Sequence, residues 1–158
     1  MFPIVINVDV SKGPAFALAF AAECRAVYLQ HHNVLLEGPE TAVEAVLPLL
    51  QPGLREPVIW KHARGALELP TSHAGALILQ EVASLTIDEQ ARLLEWLEAL
   101  TDRPQLVSTS SEPVFARVAR GLFAESLYYR LNVVLMDLNS THNPHAFATF
   151  LTPSHVSL

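Results

Sequence analysis

Six short apolar runs, separated by helical or turn-forming stretches, constrain the fold of this chain more than any other feature of its sequence. Strands that are buried on both faces of a sheet read as continuous apolar runs, and their alternation with helices is typical of α/β proteins. We therefore predict an α/β fold with a mainly parallel sheet and strands at residues 4–10, 33–37, 57–60, 76–80, 105–109 and 132–138.

Four stretches between these runs have the apolar spacing of helices. In the clearest of them, Thr86 and Glu89 form the T-x-x-E pattern of a capping box, and leucines then recur on one helical face. The pattern predicts helices at residues 15–29, 42–50, 87–100 and 114–120. It also predicts a core domain at residues 1–138 and a tail at residues 139–158 that is a loop or a short added element.

The composition excludes several classes of protein. Of the 158 residues 51% are hydrophobic, which allows a sizeable core, and the 16 acidic residues outnumber the 10 basic ones. A nucleic-acid surface needs clustered lysines and arginines, which this sequence lacks, so direct DNA binding is not expected. Because no apolar run reaches the roughly 18 residues of a membrane span, we expect a cytoplasmic protein without a membrane segment.

Three segments resemble the AAA+ domain of sigma-54-dependent transcription activators. Residues 121–133 read GLFAESLYYRLNV, where that family has G-x-F-R-x-D-L-Y-Y-R-L-N-V. Residues 74–97, AGALILQEVASLTIDEQARLLEWL, are similar to its Walker B strand and the following helix. Residues 34–45, VLLEGPETAVEA, are similar to its strand and P-loop. The resemblance implies a three-layer P-loop NTPase-like (AAA+) core.

The P-loop-like segment, residues 38–44, departs from the family where phosphate would bind. A P-loop wraps phosphates with the backbone N–H groups of glycines and reaches the outer phosphates with a lysine. Here Val43 replaces the second glycine and Glu44 replaces the lysine. Thr41 and Glu44 instead form a second T-x-x-E pattern, which predicts a capping box at a helix start. Nucleotide binding is therefore not expected at the degenerate loop formed by Gly38, Pro39, Glu40, Thr41, Ala42, Val43 and Glu44.

Some of the other positions with catalytic roles in the family are altered, and some are kept. Gln80 stands where an aspartate organises Mg²⁺, and a neutral amide is a poor partner for that ion. Glu81 matches the acid that polarises the attacking water, and Ser111 occupies the sensor position. Arg130 matches the second of two arginine-finger positions, whereas the first is Ala124. We interpret Gln80, Glu81, Ser111 and Arg130 as remnants and expect no catalytic residue.

Two larger parts of the family's domain are missing from the sequence. Gly38 and Gln80 are 42 positions apart, and the G-A-F-T-G-A motif that grips sigma-54 does not lie between them. Residues 55–69 replace that region. The C-terminal helical lid is expected to be lacking, because only residues 139–158 follow the last predicted strand. His142 and His145 have H-x-x-H spacing, but zinc needs two further ligands, so a metal site is not expected.

We therefore expect a catalytically inactive AAA+-like module without a cofactor that regulates by protein contact, either self-association or docking on a related AAA+ regulator. Tyr128, Tyr129 and Arg130 are the interface candidates, because adjacent tyrosines on a helix point about 100° apart and one of them can face outward. The alternative is a residual nucleotide-binding protein or weak ATPase linked to transcription regulation, which would use ATP and Mg²⁺. Contact with sigma-54 is not expected, since the gripping motif is absent.

Overall fold

The computed structural model describes residues 4–8, 32–71, 75–99 and 104–139. Six strands in these ranges form one sheet in the order β1-β6-β2-β5-β4-β3, and every neighbouring pair is parallel. They are β1 (Ile4–Asn7), β2 (Val34–Glu37), β3 (Val58–His62), β4 (Ala76–Gln80), β5 (Gln105–Ser110) and β6 (Val134–Asp137). The predicted α/β fold with a mainly parallel sheet is confirmed, and each predicted run overlaps a strand.

Helices cover both faces of the sheet and produce three layers. They are α1 (Glu40–Leu50), α2 (Ile87–Ala99), α3 (Val114–Ala119) and α4 (Glu125–Leu131). The apolar side of α1 packs on one face, and α2, α3 and α4 pack on the other. Short 3-10 turns occupy Gln51–Gly53 and Val82–Ser84. None of the helices in the described ranges is long and apolar enough to cross a membrane.

Burial on both faces explains why β2 and β4 read as nearly unbroken apolar runs. Along β2, Val34 and Leu36 belong to the core under α1, whereas Leu35 belongs to the core under the other three helices. Successive strand side chains point to opposite faces, so each of these residues needs an apolar side chain. Glu37 ends the strand and is the one charged residue in it, yet it is only 6% exposed.

The helix boundaries differ from the predictions at two places. Helix α1 begins at Glu40 rather than at residue 42, because Pro39 holds the N-cap position, where a missing amide costs the helix nothing. Helix α4 was not among the predicted helices. The predicted helix at residues 15–29 and the tail from residue 140 onward lie outside the described residues.

The capping box at the start of α2 is present as predicted. The amide of Thr86 donates to Glu89 Oε1 at 3.0 Å, and the amide of Glu89 donates to Thr86 Oγ1 at 3.2 Å. The second predicted capping box, at Thr41 and Glu44, is wrong. Both residues lie inside α1, whose N-cap is Pro39, and no side chain caps that helix.

Candidate functional site

The carboxyl edge of the parallel sheet brings together three of the segments that the sequence singled out. Parallel strands end at the same edge, which is where open α/β sheets bind ligands. Here β2 leads into Gly38, β4 ends at Gln80, and β5 leads into Ser111. The amide of Gly38 donates to the carbonyl of Ser110 at 3.0 Å, so the two strand ends are joined directly.

Glu81 and Ser111 form a hydrogen-bonded pair at this edge. Glu81 Oε2 accepts from the Ser111 hydroxyl at 3.1 Å and from the Ser111 amide at 3.4 Å. The Glu81 backbone is left-handed, with φ 58°, and its amide donates to Thr109 Oγ1 at 3.2 Å. The carboxylate thus has a fixed direction and a hydroxyl partner from the neighbouring strand. Gln80, the residue before it, is half-buried at the end of β4.

The P-loop-like segment is almost entirely helical. Strand β2 ends at Glu37 and α1 begins at Glu40, which leaves a connection of two residues, Gly38 and Pro39. The amides of Ala42 and Val43 both donate to the carbonyl of Pro39, at 2.9 and 3.0 Å, as the first turn of a helix requires. Proline contributes no amide of its own. The amides of Gly38, Ala42 and Val43 are therefore used inside the protein.

Gly38 is closely approached by the chain that leaves β6. A Cβ at this position would lie 2.7 Å from Leu138 Cβ and 3.0 Å from its carbonyl carbon, and φ is +157°. The amide of Leu138 also donates to the carbonyl of Glu37 at 2.7 Å. The glycine is required for this close packing, which fills the space beside the two-residue connection.

Glu37 is a buried carboxylate at the same edge, and sequence reasoning missed it. Its Oε1 accepts from the Val114 amide at 3.2 Å, so it satisfies a free amide at the start of α3. Burial raises the pKa of Glu37, and nearby Asp137 acts in the same direction, while the bond from Val114 acts in the opposite direction. The only sequence signal was a charged residue at the end of an otherwise apolar strand, directly before a glycine.

The candidate interface residues lie on α4. Tyr128 is 6% exposed and packs in the core, whereas Tyr129 is 43% exposed, so the helix points one ring inward and the other outward. The Tyr128 ring lies 5.3 Å from Tyr129 and 5.7 Å from Phe115 of α3, centroid to centroid. Burial raises the pKa of Tyr128, and the Glu37 carboxylate adds to this. Arg130 Nη2 lies 3.4 Å from Glu98 Oε1 on α2.

Gln90 fixes the approach to α4 and was not recognised from the sequence. It is 1% exposed. Its Nε2 donates to the carbonyls of Leu85 and Leu122, each at 3.0 Å, and its Oε1 accepts from the Ala124 amide at 2.8 Å. One amide side chain therefore joins the start of α2 to the residues just before α4.

Side chains of α2 form hydrogen bonds with the backbone of the segment between β3 and β4 and attach that segment to the helix. The Leu67 amide donates to Glu89 Oε2 at 2.9 Å, and its carbonyl accepts from Arg92 Nη2 at 3.2 Å. Trp96 Nε1 donates to the carbonyl of Pro70 at 3.1 Å. Hydrogen bonds from the amides of Thr86 and Leu67 lower the pKa of Glu89. Leu67 is 3% exposed, so this segment folds back onto the helix.

Comparison with known proteins identifies the domain family that this chain resembles. The sequence profile of a family described as the Sigma-54 interaction domain matches residues 57–140, more than half of the 158-residue chain. This chain is 30% identical over 109 residues to the Nif-specific regulatory protein of Rhizobium leguminosarum bv. trifolii, covering 56% of this chain and 31% of that protein. It is also 30% identical over 127 residues to the transcriptional regulatory protein GlrR of Escherichia coli K12, covering 68% and 29%. The chain thus spans about a third of the length of these relatives.

A solved structure shares the fold. NtrX from Brucella abortus, in complex with ADP, superposes with a TM-score of 0.66 at 19% identity, covering 81% of this chain and 36% of that one. At this level of identity the similarity concerns the fold alone.

Proposed function

Because this chain belongs to the Sigma-54 interaction domain family, we propose that it is a catalytically inactive AAA+-like module that regulates by protein contact. It neither binds nor hydrolyses ATP. The observation that carries this proposal is the two-residue connection between β2 and α1.

A phosphate cradle needs a wide turn between strand and helix. The P-loop motif G-x-x-x-x-G-K-[ST] places its glycine-rich stretch in that turn, where successive amides point at the phosphates. In this chain α1 begins at the third position of the corresponding segment, and Pro39 removes one donor. Gly38 is packed against Leu138, so that a side chain at position 38 would collide with the residue that follows β6.

The negative charges at the N-terminus of α1 also disfavour nucleotide binding. Glu40 and Glu44 are both exposed and lie four residues apart, on one side of the first turns of α1. A helix N-terminus favours negative charge, and here the protein supplies two carboxylates of its own. A phosphate brought to this position would meet repulsion where a P-loop lysine supplies attraction.

The proposal excludes sigma-54 as a partner. The segment at residues 63–71 occupies the region between the P-loop-like segment and β4, and three side chains of α2, namely Glu89, Arg92 and Trp96, hold its backbone. A loop that grips another protein has to extend from the domain. Protein contact is proposed instead through the exposed side of α4, where Tyr129 and Arg130 lie.

Calorimetric titration with ATP, with and without Mg²⁺, tests the proposal together with a hydrolysis assay. We expect no binding heat and no turnover above that of the Glu81→Gln variant, which controls for contaminating ATPase. Glu44→Lys alone is expected to leave binding absent, since the helix still occupies the site. Micromolar ATP binding by the wild-type chain or by Glu44→Lys would contradict the proposal.

A residual nucleotide-binding protein or weak ATPase is the second candidate. One observation favours it: Glu81 directly follows β4 and is hydrogen-bonded by Ser111, which directly follows β5. Turnover that Glu81→Gln abolishes would establish this second function. Binding without turnover would indicate a nucleotide sensor.

A further inference from the structure

The segment that contains α3, residues 113–121, is held to the rest of the protein by few contacts. Val114 is buried, and every other residue of the segment is exposed or half-buried. Among the described residues, one hydrogen bond joins the segment to the sheet, and it runs from the Val114 amide to Glu37 Oε1 at 3.2 Å. Arg117 pairs with Glu112, the residue just before the segment, and a partly exposed ion pair of this kind contributes little. An element with so few buried contacts opens more easily than the core does.

This segment lies between two fixed points and has a hinge at its end. Before it, the Ser110 hydroxyl donates to the carbonyl of Glu112 and accepts from the Glu112 amide, so that Glu112 stays with β5. After it, Gln90 Nε2 donates to the carbonyl of Leu122 at 3.0 Å. Gly121, the last residue of the segment, has φ +73°, and a Cβ there would meet nothing within 4 Å. The backbone at this glycine can therefore turn without collision, as a hinge requires.

The carboxylate that this segment contacts is buried beside groups that cannot carry a positive charge. Glu37 is 6% exposed. In the described part of the chain, the titratable groups that act on it are Asp137 of β6 and Tyr128 of α4. The cation of the segment itself, Arg117, pairs with Glu112 instead. A carboxylate buried in this way is costly when ionised and much less costly when protonated. Moving the segment away would return the carboxylate to water and remove that cost.

We propose that residues 113–121 form a proton-controlled lid, which closes over Glu37 when that carboxyl is protonated and opens when it ionises. The bond from the Val114 amide is stronger to a carboxylate and opposes opening, but burial is the larger effect on the pKa of Glu37 and raises it. The closed state therefore binds the proton more tightly than the open state, and opening increases as pH rises. Opening would separate Phe115 from the Tyr128 ring, which lies 5.7 Å away, centroid to centroid. The lid goes beyond the proposed function, because it requires neither a nucleotide nor a partner.

Amide hydrogen exchange of α3 in the full chain, followed by NMR between about pH 4 and pH 8, tests the lid. Protection factors are compared, because they remove the dependence of the chemical exchange step on pH. We expect protection in α3 to fall by up to about tenfold per pH unit between the open-state and closed-state pKa of Glu37, since opening releases one proton. Protection in β2 and β5 should not change. The carboxyl carbon shift of Glu37 reports its ionisation, and the fall in protection should follow the same titration.

Three variants show whether Glu37 controls the lid. Glu37→Gln fixes the uncharged state, so α3 should stay protected at every pH, whereas Glu44→Gln, which removes an exposed carboxylate, should keep the wild-type response. Asp137→Asn removes a charge that raises the pKa of Glu37 and should move the fall in protection to lower pH. Protection in the wild type that does not depend on pH overturns the proposal. So do a response that persists in Glu37→Gln, an unmoved response in Asp137→Asn, and an equal loss of protection in β5, which would mean that the whole domain opens.

Discussion

The burial of Glu37 is the least expected property of a single residue in this protein. A carboxylate loses its hydration when it is buried, and one hydrogen bond from the Val114 amide only partly compensates for that loss. Tyr128 and Asp137 are nearby, and neither supplies a positive charge. The native state therefore favours the protonated carboxyl more than the unfolded state does, and this raises the pKa of Glu37.

Glu37→Gln is expected to make the folded protein at least as stable as the wild type at neutral pH. The amide keeps an acceptor for the Val114 amide and removes the buried charge. Because the native pKa is raised, the native state binds more protons than the unfolded state between the two pKa values. The contribution of Glu37 to stability is thus full below the unfolded pKa and is lost as pH rises through the folded pKa. Urea unfolding of both proteins between about pH 4 and pH 8 measures this difference.

Glu44→Gln is the matched control for this experiment. It removes the same charge from an exposed position seven residues away. Its effect on the free energy of unfolding should change little over the same pH range. Equal pH dependence in the two variants would show that overall charge, and not burial, is responsible.

At the scale of elements, two identical patterns have different outcomes. T-x-x-E occurs at Thr86 and Glu89 and again at Thr41 and Glu44. Only the first forms a capping box, because Pro39 starts α1 two residues before the second pattern and moves it into the helix. A capping pattern predicts the start of a helix only where no earlier residue has already begun that helix.

Thr86→Ala is expected to lower the free energy of unfolding by about 1 kcal/mol, because the hydroxyl that accepts the Glu89 amide is lost. Thr41→Ala is expected to change it by less than about 0.5 kcal/mol, since that exposed hydroxyl caps no helix. Chemical denaturation of the two variants and the wild type makes the comparison. A larger loss for Thr41→Ala than for Thr86→Ala would mean that the first turn of α1 has been misassigned.

The attachment of the segment at residues 63–71 to α2 can be tested by hydrogen exchange. Arg92→Met keeps the apolar stem of the side chain and removes the donor to the Leu67 carbonyl. We expect faster amide exchange in this segment and unchanged exchange in β4 and β5, because only a local opening becomes easier. Glu95→Met, on an exposed position of the same helix, is the control. Equal effects of the two variants would rule out a specific role for Arg92.

The sequence predicted β2 and β4 most clearly, because burial on both faces leaves a pattern of four consecutive apolar or buried residues. It placed Tyr128 and Tyr129 on a helix but did not give the bounds of α4, since seven residues show little helical periodicity. The roles of Glu37 and Gln90 depend on partners far along the chain, Val114 and Leu122 among them, which no local pattern reveals. The resemblance to a family identified Glu81 and Ser111, and the parallel strands explain why they meet.

At the scale of the whole molecule, the parallel sheet is the frame on which the candidate site is built. The parallel sheet still brings the ends of β2, β4 and β5 to one edge. At that edge the connection after β2 is short, and the segment before β4 lies against α2. A rigid frame with closed edges is suited to holding a surface in place and not to moving against a partner.

This organisation leads to the last prediction, that the chain does not bind sigma-54 and does not activate sigma-54-dependent promoters. Gripping sigma-54 would require residues 63–71 to leave α2, which would break the bonds of Leu67 to Glu89 and Arg92 and expose a leucine that is now 3% exposed. Each lost bond to a charged side chain costs about 1.5–3 kcal/mol. Co-purification from cells that contain sigma-54, with a full-length sigma-54 activator as the positive control, provides the measurement. Recovery of sigma-54 with the wild-type chain, lost when residues 63–71 are replaced by a glycine-serine linker, would contradict the prediction. Enhanced recovery with Arg92→Met would show that the attachment to α2, and not the missing motif, prevents the contact.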